Sequence, residues 1–262
     1  MPLRPVQVNI KALDARAVGR FWAEALGWVA YDAHNTYDAH NTYGTYDTGT
    51  ATCIGPAGSG LGIGVVPVPD GKTAVKNRTH LDLATASPAH QAELVTRLRD
   101  LGATPVDLGQ GEVPWVVLAD PEGNEFCVLE PREVYRDTGP IAAVVVDCAD
   151  PRAMARFWGA AIDWTPHEVS GDLARFRSPA GTGPYLEFLR VPGAHAVPPV
   201  PDRVRLDLLP YPGDDSAAET ARLRTLGATD LATDLATDLA TDLGRTHLAD
   251  PEGHELRVLA PR

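Results

Sequence analysis

The chain has 262 residues, 44% of them hydrophobic and 22% charged, with a formal net charge of −12. That length suits two domains, each able to bury its own core, and the negative field disfavours nucleic acid and anionic membrane surfaces as partners. No apolar run is long enough to span a bilayer and Met1-Pro-Leu-Arg-Pro carries no signal segment, so a cytoplasmic protein is expected.

Val6, Val8 and Ile10 alternate with Gln7, Asn9 and Lys11, the period-2 pattern of a strand with one apolar and one polar face. Asp14 then caps a helix whose Val18, Phe21, Trp22, Ala25 and Leu26 fall at helical spacing, ending at Gly27. Short strands follow at Thr52–Ile54 and Gly62–Val66. A second unit starts at Leu81 and Leu83, with Ser87-Pro88 opening a helix through Leu94, Leu98 and Leu101 to Gly102. Its last strands, Trp115–Leu118 and Glu125–Leu129, are joined by the turn Asp120-Pro-Glu-Gly123. Further on, strands are expected at Val144–Val146, Tyr185–Arg190, Val204–Leu208 and His254–Leu259, and helices at Arg152–Ile162 and Ser216–Leu226.

These pieces repeat. Arg16-Ala17-x-x-x-Arg20-Phe21-Trp22 returns as Arg152-Ala153-x-x-x-Arg156-Phe157-Trp158. Arg97-Leu-Arg-x-Leu-Gly-Ala-Thr104 returns as Arg222 to Thr229, and Ala119-Asp-Pro-Glu-Gly123 as Ala249 to Gly253. Three matches in one order mean a duplicated domain, with halves at 1–134 and 138–262. Each half reads as two modules of strand, helix and three strands, an α+β class whose sheets, covered by helices on one face, leave the other to line a cup. Trp22, Trp28, Trp158 and Trp164 recur at matching positions and are assigned to the core.

Cys53, Cys127 and Cys148 lack metal-finger spacing and are expected as reduced thiols. Gly58-Ser-Gly-Leu-Gly-Ile-Gly64 lacks the strand, helix and Lys-Ser/Thr of a phosphate loop, so a turn is the better account. Two short repeats stand outside the duplication: Tyr31-Asp-Ala-His-Asn-Thr36 is copied at once through Thr42, and Ala228-Thr-Asp-Leu231 occurs four times through Leu243. Both fit loop expansions. The alternatives are a hairpin closing over the cup, and a leucine stripe that packs on the protein or on a partner.

Phe-Trp in the first helix followed by Leu-Gly-Trp28, the Asn77-Arg-Thr-His-Leu-Asp-Leu83 strand, the Leu-Gly-Ala helix end and Asp-Pro-Glu-Gly-Asn124 together resemble the vicinal oxygen chelate superfamily, and within it the glyoxalase-like, bleomycin-resistance-related branch. The resemblance covers nearly all of the chain and implies tandem domains, each with two βαβββ modules forming a curled mixed sheet around a cup. It also implies metal ligands on the first, fifth and eighth strands. Those positions are Gln7, His80 and Cys127 in the first half and Ala143, Arg205 and Arg257 in the second.

The second set repels a divalent cation, and the first lacks a carboxylate, so no metal and no other cofactor is expected; soft-metal binding by His80 and Cys127 is the alternative. Arg205 and Arg257 would enter a cup together with Glu187, either neutralised by Glu187 or Asp207 or gripping an anionic ligand. Trp115 and His247 would stack on a planar guest or simply wall the cup. The ligand-binding candidates are therefore Gln7, His80, Trp115, Cys127, Glu187, Arg205, His247 and Arg257, with no catalytic residue assigned. The reading that follows is a metal-free cup for a small planar or anionic organic molecule, as in drug or natural-product sequestration. A lyase, isomerase, cyclase, hydrolase or dioxygenase of the same fold is one alternative, and a non-catalytic interaction module another. A small-molecule ligand is the partner expected, with the chain a monomer holding an internal pseudo-dimer, or a homodimer.

Overall fold

The computed structural model describes residues 2–32, 52–55, 60–193, 201–231 and 246–260. The doubled Tyr31–Thr42 segment beyond Asp32, the Ala-Thr-Asp-Leu array beyond Leu231 and residues 56–59 of the glycine-rich turn lie outside them.

Four modules follow one another. The first is β1 (Arg4–Ala12), α1 (Ala15–Leu26), β2 (Val29–Asp32), β3 (Thr52–Gly55) and β4 (Gly62–Pro67). The second is β5 (Thr79–Leu83), α2 (Pro88–Asp100), β6 (Thr104–Pro105), β7 (Val116–Ala119) and β8 (Glu125–Val128). A linker with one 3-10 turn at Glu133–Tyr135 leads to β9 (Ile141–Cys148), α3 (Pro151–Ala161), β10 (Thr165–Val169), β11 (Leu173–Arg177) and β12 (Tyr185–Arg190). The fourth holds β13 (Val204–Leu209), α4 (Ser216–Leu226), β14 (Thr229–Asp230), β15 (Thr246–Ala249) and β16 (Glu255–Val258). Helix starts follow the caps: Asp14 accepts from the Ala17 amide, Ser87 from His90, and Asp150 from Arg152 and Ala153. Gly27, at φ 66°, ends α1 in the left-handed conformation that a side chain would strain.

The strands form two mixed eight-stranded sheets, ordered β14-β15-β16-β13-β1-β4-β3-β2 and β10-β11-β12-β9-β5-β8-β7-β6. The mixed α+β class with helices outside therefore holds. The partners differ from expectation, because neither sheet belongs to one half. Module one joins module four through the antiparallel β1–β13 pair, and module two joins module three through β5–β9. We call the residues facing away from the helices the first trough (β1, β4, β13, β16) and the second trough (β5, β8, β9, β11, β12).

The helix-facing side carries the core. Leu81, Leu83, Phe126, Val128, Val144, Val146, Phe176 and Phe188 bury there together with Trp22, Phe157 and Trp158 of the helices. The Trp22 indole donates to Asp120 at 3.2 Å and the Trp158 indole to Asp250 at 3.1 Å, so each conserves its polar handle while packing. These tryptophans are core, and so are Trp164, which is buried, and Trp28, packed against it. On the opposite side of the second sheet, Leu129, Tyr135, Ala142, Ala143, Val145 and Tyr185 form a separate buried cluster. Tyr135 of the linker lies across that face and buries it, with Val134, Trp115 and Cys127 packed beside it.

Candidate functional site

Strand exchange sorts the candidate residues into two sets. Gln7, Arg205, His247 and Arg257 lie on the first sheet; His80, Trp115, Cys127 and Glu187 belong to the second, Trp115 directly preceding β7. Two groupings expected from sequence are thereby corrected. Gln7 does not share a cup with His80 and Cys127, and Glu187 does not face Arg205 and Arg257. Both corrections have one cause: each module shares its sheet with a module of the other half, not with its own half's partner.

The first trough satisfies its own charges. Gln7 stands opposite Asp207, and Asn9 opposite Arg205, across β1–β13; Asp207 is beside Arg257 across β13–β16. Arg257, 1% exposed, donates through Nε to Asp207 Oδ1 at 3.1 Å and through Nη2 to Oδ2. Asn9 donates to the same carboxylate at 3.3 Å, and the Arg205 guanidinium lies 3.8 Å from it and 3.9 Å from Glu255. A fully buried bidentate pair is the internal salt bridge that the arginines require. With large polar side chains filling the floor and two guanidiniums within it, this trough does not fit a divalent cation.

The second trough is built differently. Its floor is Ala143 and Val145 of β9, both buried and small. On one side the register sets His80 against Val145 and Asp82 against Ala143, with Cys127 of β8 beside Asp82. On the other side Tyr185 pairs with Ala143 and Glu187 with Val145, and Arg175 of β11 stands next to Glu187. Neighbouring strands lie about 4.8 Å apart, so the two walls are separated by roughly 9–10 Å.

An alternation of arginine and aromatic rings crosses the trough, from Trp115 beside β7 through the linker to Arg177 of β11. Arg132 lies 5.8 Å from the Trp115 ring centroid and 5.9 Å from that of Tyr135. Arg175 lies 5.6 Å from Tyr135 and 5.4 Å from Tyr185, and Arg177 4.5 Å from Tyr185. All are within cation–π reach. Glu187 ties this series together: it accepts from Tyr135 Oη at 2.9 Å and from Arg175 Nε at 2.7 Å. Burial and the Glu187 charge push the Tyr135 phenol well above its ordinary pKa, so it remains a donor. Arg132 has the carboxylate of Glu130 at 2.7 Å, both half-buried at the rim. A cavity of about 470 Å³ between the end of α1, the start of α2 and the linker adjoins this series, with Arg132 and Tyr135 among its lining residues.

The β5–β8 side of the trough holds a compact donor set. One donor atom each from His80, Asp82 and Cys127 lies within 4.8 Å of the others. Burial lowers the His80 pKa to about 3, assisted by nearby Lys76. Burial, then the Glu187 charge, raises Asp82 to about 7 against the opposing pull of Cys127, Arg132 and Lys76. Burial and Asp82 hold the Cys127 thiol far above its ordinary value. His80 Nδ1 and Asp82 Oδ1 are buried without a hydrogen-bond partner. Donors of three metal-binding types at such separations fit a divalent ion, and Asp82 supplies the carboxylate that Gln7, His80 and Cys127 lack. Such an ion, held by His80, Asp82 and Cys127, would act as a Lewis acid toward an oxygen of a bound molecule.

Sequence reasoning found four residues of this trough and missed Asp82, Arg132, Tyr135, Arg175 and Arg177. Asp82 was legible, since period 2 puts it on the face of His80. Leu173-Ala-Arg-Phe-Arg177 alternates in the same way. Tyr135 had no such signal, because it lies in the linker.

A Glyoxalase-like domain model matches residues 7–129 and again 143–259. Glyoxalase I from Zea mays superimposes with a TM-score of 0.58 at 13% identity, covering 98% of this chain and 92% of that one. A putative dioxygenase from Bacillus subtilis gives 0.59 at 12%, covering 99% and 85%. At such identities these two likenesses concern the fold alone. Among curated proteins none matches.

Proposed function

The chain belongs to the glyoxalase-like domain family, in two tandem copies, and from that premise we propose that it binds a small planar organic molecule bearing an anionic group in the second trough. The observation that carries this reading is the small floor of Ala143 and Val145 beneath the arginine–aromatic series of Trp115, Arg132, Tyr135, Arg175, Tyr185 and Arg177 that crosses it. A flat guest takes the place of the Tyr135 ring over the small residues, its ring edge-on or stacked against Tyr185 and Trp115, and its anionic group exchanges with Glu130 for Arg132 at the rim. Shape, rings and guanidiniums suffice for such affinity. The first trough, closed by Arg257 and Asp207, takes no part.

Binding followed by turnover is a second reading, favoured by the geometry beside the floor, where one donor atom each of His80, Asp82 and Cys127 lies within 4.8 Å of the others and could exchange a proton with a guest. An enzyme acting on the guest would use such a donor set, whereas a sequestering protein would need only the rings and guanidiniums.

The test is a titration of the full chain with a panel of aromatic and heteroaromatic carboxylic acids and their neutral amides, followed by tryptophan fluorescence and melting temperature. Acids are expected to bind, Ala143→Trp to abolish binding by filling the floor, and Arg132→Gln to weaken acids about tenfold or more while leaving amides unchanged, as expected for losing one charged hydrogen bond. Binding that survives Ala143→Trp, or a panel with no binder, would sink the proposal.

A further inference from the structure

We propose that the cavity of about 470 Å³ between the end of α1, the start of α2 and the linker is a second binding site, separate from the trough, for an aliphatic carboxylate of medium chain length. The two copies of the domain show why the space exists. Counting along the repeat, Gly27 corresponds to Asp163 and Ala86 to Tyr211, while Gly139 and Pro140, which lead into β9, correspond to Leu3 and Arg4, which lead into β1. In the other copy those four side chains close the equivalent position. Tyr211 Oη donates to Asp163 at 2.6 Å, and the Arg4 guanidinium lies 4.7 Å from the Tyr211 ring centroid and donates to the Pro210 carbonyl at 3.0 Å. Leu3 is fully buried and bridges to Ile162. Gly27, Ala86, Gly139 and Pro140 all line the cavity, and a side chain begun at Gly27 or Gly139 would meet no atom within 4 Å. Two glycines, an alanine and a proline therefore leave open the volume that a carboxylate, a phenol, an isobutyl group and a guanidinium fill in the duplicate.

The lining defines the occupant. Ala25, Leu26, Leu83 and Leu94 are buried and aliphatic, so an alkyl chain leaves water against them. Three arginines, Arg97, Arg132 and Arg136, join them against one acid, Glu133, in a chain whose net charge is −12. Such a local reversal of sign favours an anion. Arg136 and Glu133 form an exposed pair, 69% and 76% accessible, which solvent weakens and an incoming carboxylate can exchange. Arg97 donates to the Glu24 and Ala25 carbonyls at the end of α1 and retains further N–H groups of its five for a ligand. Its counterpart Arg222 caps α3 in the same way, at Ala160 and Ala161. The cap is thus common to both copies, and the open space beside it is what differs. Nothing in this site depends on a guest in the trough.

The full chain is titrated calorimetrically with octanoate and, as controls, with 1-octanol and acetate. One equivalent of octanoate is expected, bound about tenfold or more tighter than either control, as a charged hydrogen bond and the burial of an alkyl chain each allow. Ala86→Tyr, which gives the first copy the side chain of the second, should abolish octanoate binding. Arg136→Gln, at an exposed position, should weaken octanoate about threefold or more and leave 1-octanol unchanged, as expected for losing a charged partner at a rim open to solvent. Ala143→Trp, which fills the trough floor, should leave octanoate binding intact. Circular dichroism of each variant separates a lost site from a lost fold. Octanoate that does not saturate, 1-octanol bound as tightly, Ala86→Tyr or Arg136→Gln with unchanged affinity, or binding lost in Ala143→Trp overturns the inference. Octanoate bound with no aromatic acid bound would sink only the trough reading, and aromatic acids bound without octanoate only this one.

Discussion

Asp120 and Asp250 occupy the same turn in the two halves and each receives a tryptophan indole, but their second partners differ. Asn124 donates to Asp120, whereas His254 sets Nδ1 at 3.0 Å from both oxygens of Asp250 and Nε2 at 2.8 Å from the carbonyl of Asp147. Burial opposes charge on His254, and nearby Arg78 adds to that, yet the hydrogen bond and charge of Asp250 prevail and raise its pKa above 6.5. Burial opposes charge on Asp250 too, and His254 reverses it, holding Asp250 below 3.8. The pair therefore contributes fully between about pH 4 and 6.5; its share is lost as pH rises through the raised histidine pKa or falls through the lowered aspartate pKa. In His254→Asn, the residue of the first half, melting temperature should fall less between about pH 6 and 9 than in the parent. Asp82 is common to both proteins, so its own titration cancels in the comparison. At the same scale, Asp207→Asn removes the carboxylate shared by Arg257 and Arg205 and should cost about 3–5 kcal/mol in denaturant unfolding, while guest binding in the other trough persists in the folded protein.

Among the elements, β12 shows how period 2 allocates its roles. Phe188 is fully buried against Trp158 and Phe176, with ring centroids 5.5 and 6.1 Å away, while Leu189, on the opposite face, is 41% exposed. Phe188→Ala should cost about 3–5 kcal/mol, and Leu189→Ala no more than about 0.5; equal effects in chemical denaturation would contradict this orientation. The alternation that places Phe188 inward also places Tyr185 in the opposite cluster and Glu187 beside it, so the strand's sequence already specified which side chains could meet a guest. The linker turn is the contrary case. Tyr135 lies in a short segment without periodicity, and its hydrogen bond to Glu187 arises 52 residues away in sequence. Arg175 and Arg177 fall between, since their strand β11 alternates but its neighbour β10 is exposed throughout and carries no apolar face to announce the hairpin.

For the whole molecule, the exchange of modules makes each half incomplete. The β1–β13 and β5–β9 ladders cross between halves. They are reinforced by Arg78, which reaches Asp202 at 2.8 and 3.1 Å and the carbonyls of Glu252 and Gly253, and by Lys11–Glu255 at 2.7 Å and Arg203–Glu122 at 3.2 Å. Cutting the chain at a protease site placed at Asp137–Gly139 should leave both fragments together as one species in size-exclusion chromatography, separating only on denaturation; fragments that part in native buffer would refute the exchange. No helix among the described residues is long and apolar enough to cross a membrane.

The amino-acid sequence by itself determined the duplication, the helices and their caps, the buried tryptophans and which face of most strands is polar, because each of these depends on spacing within a few residues. Tertiary structure alone decided which modules share a sheet, and hence that Arg257 meets Asp207 while His80, Asp82 and Cys127 face Glu187 across Ala143 and Val145. The physical reason is that strand pairing between modules is carried by backbone hydrogen bonds common to all of them, so the choice of partner rests on long-range packing and ion pairs, such as Arg78 with Asp202, that leave no local periodicity in the chain.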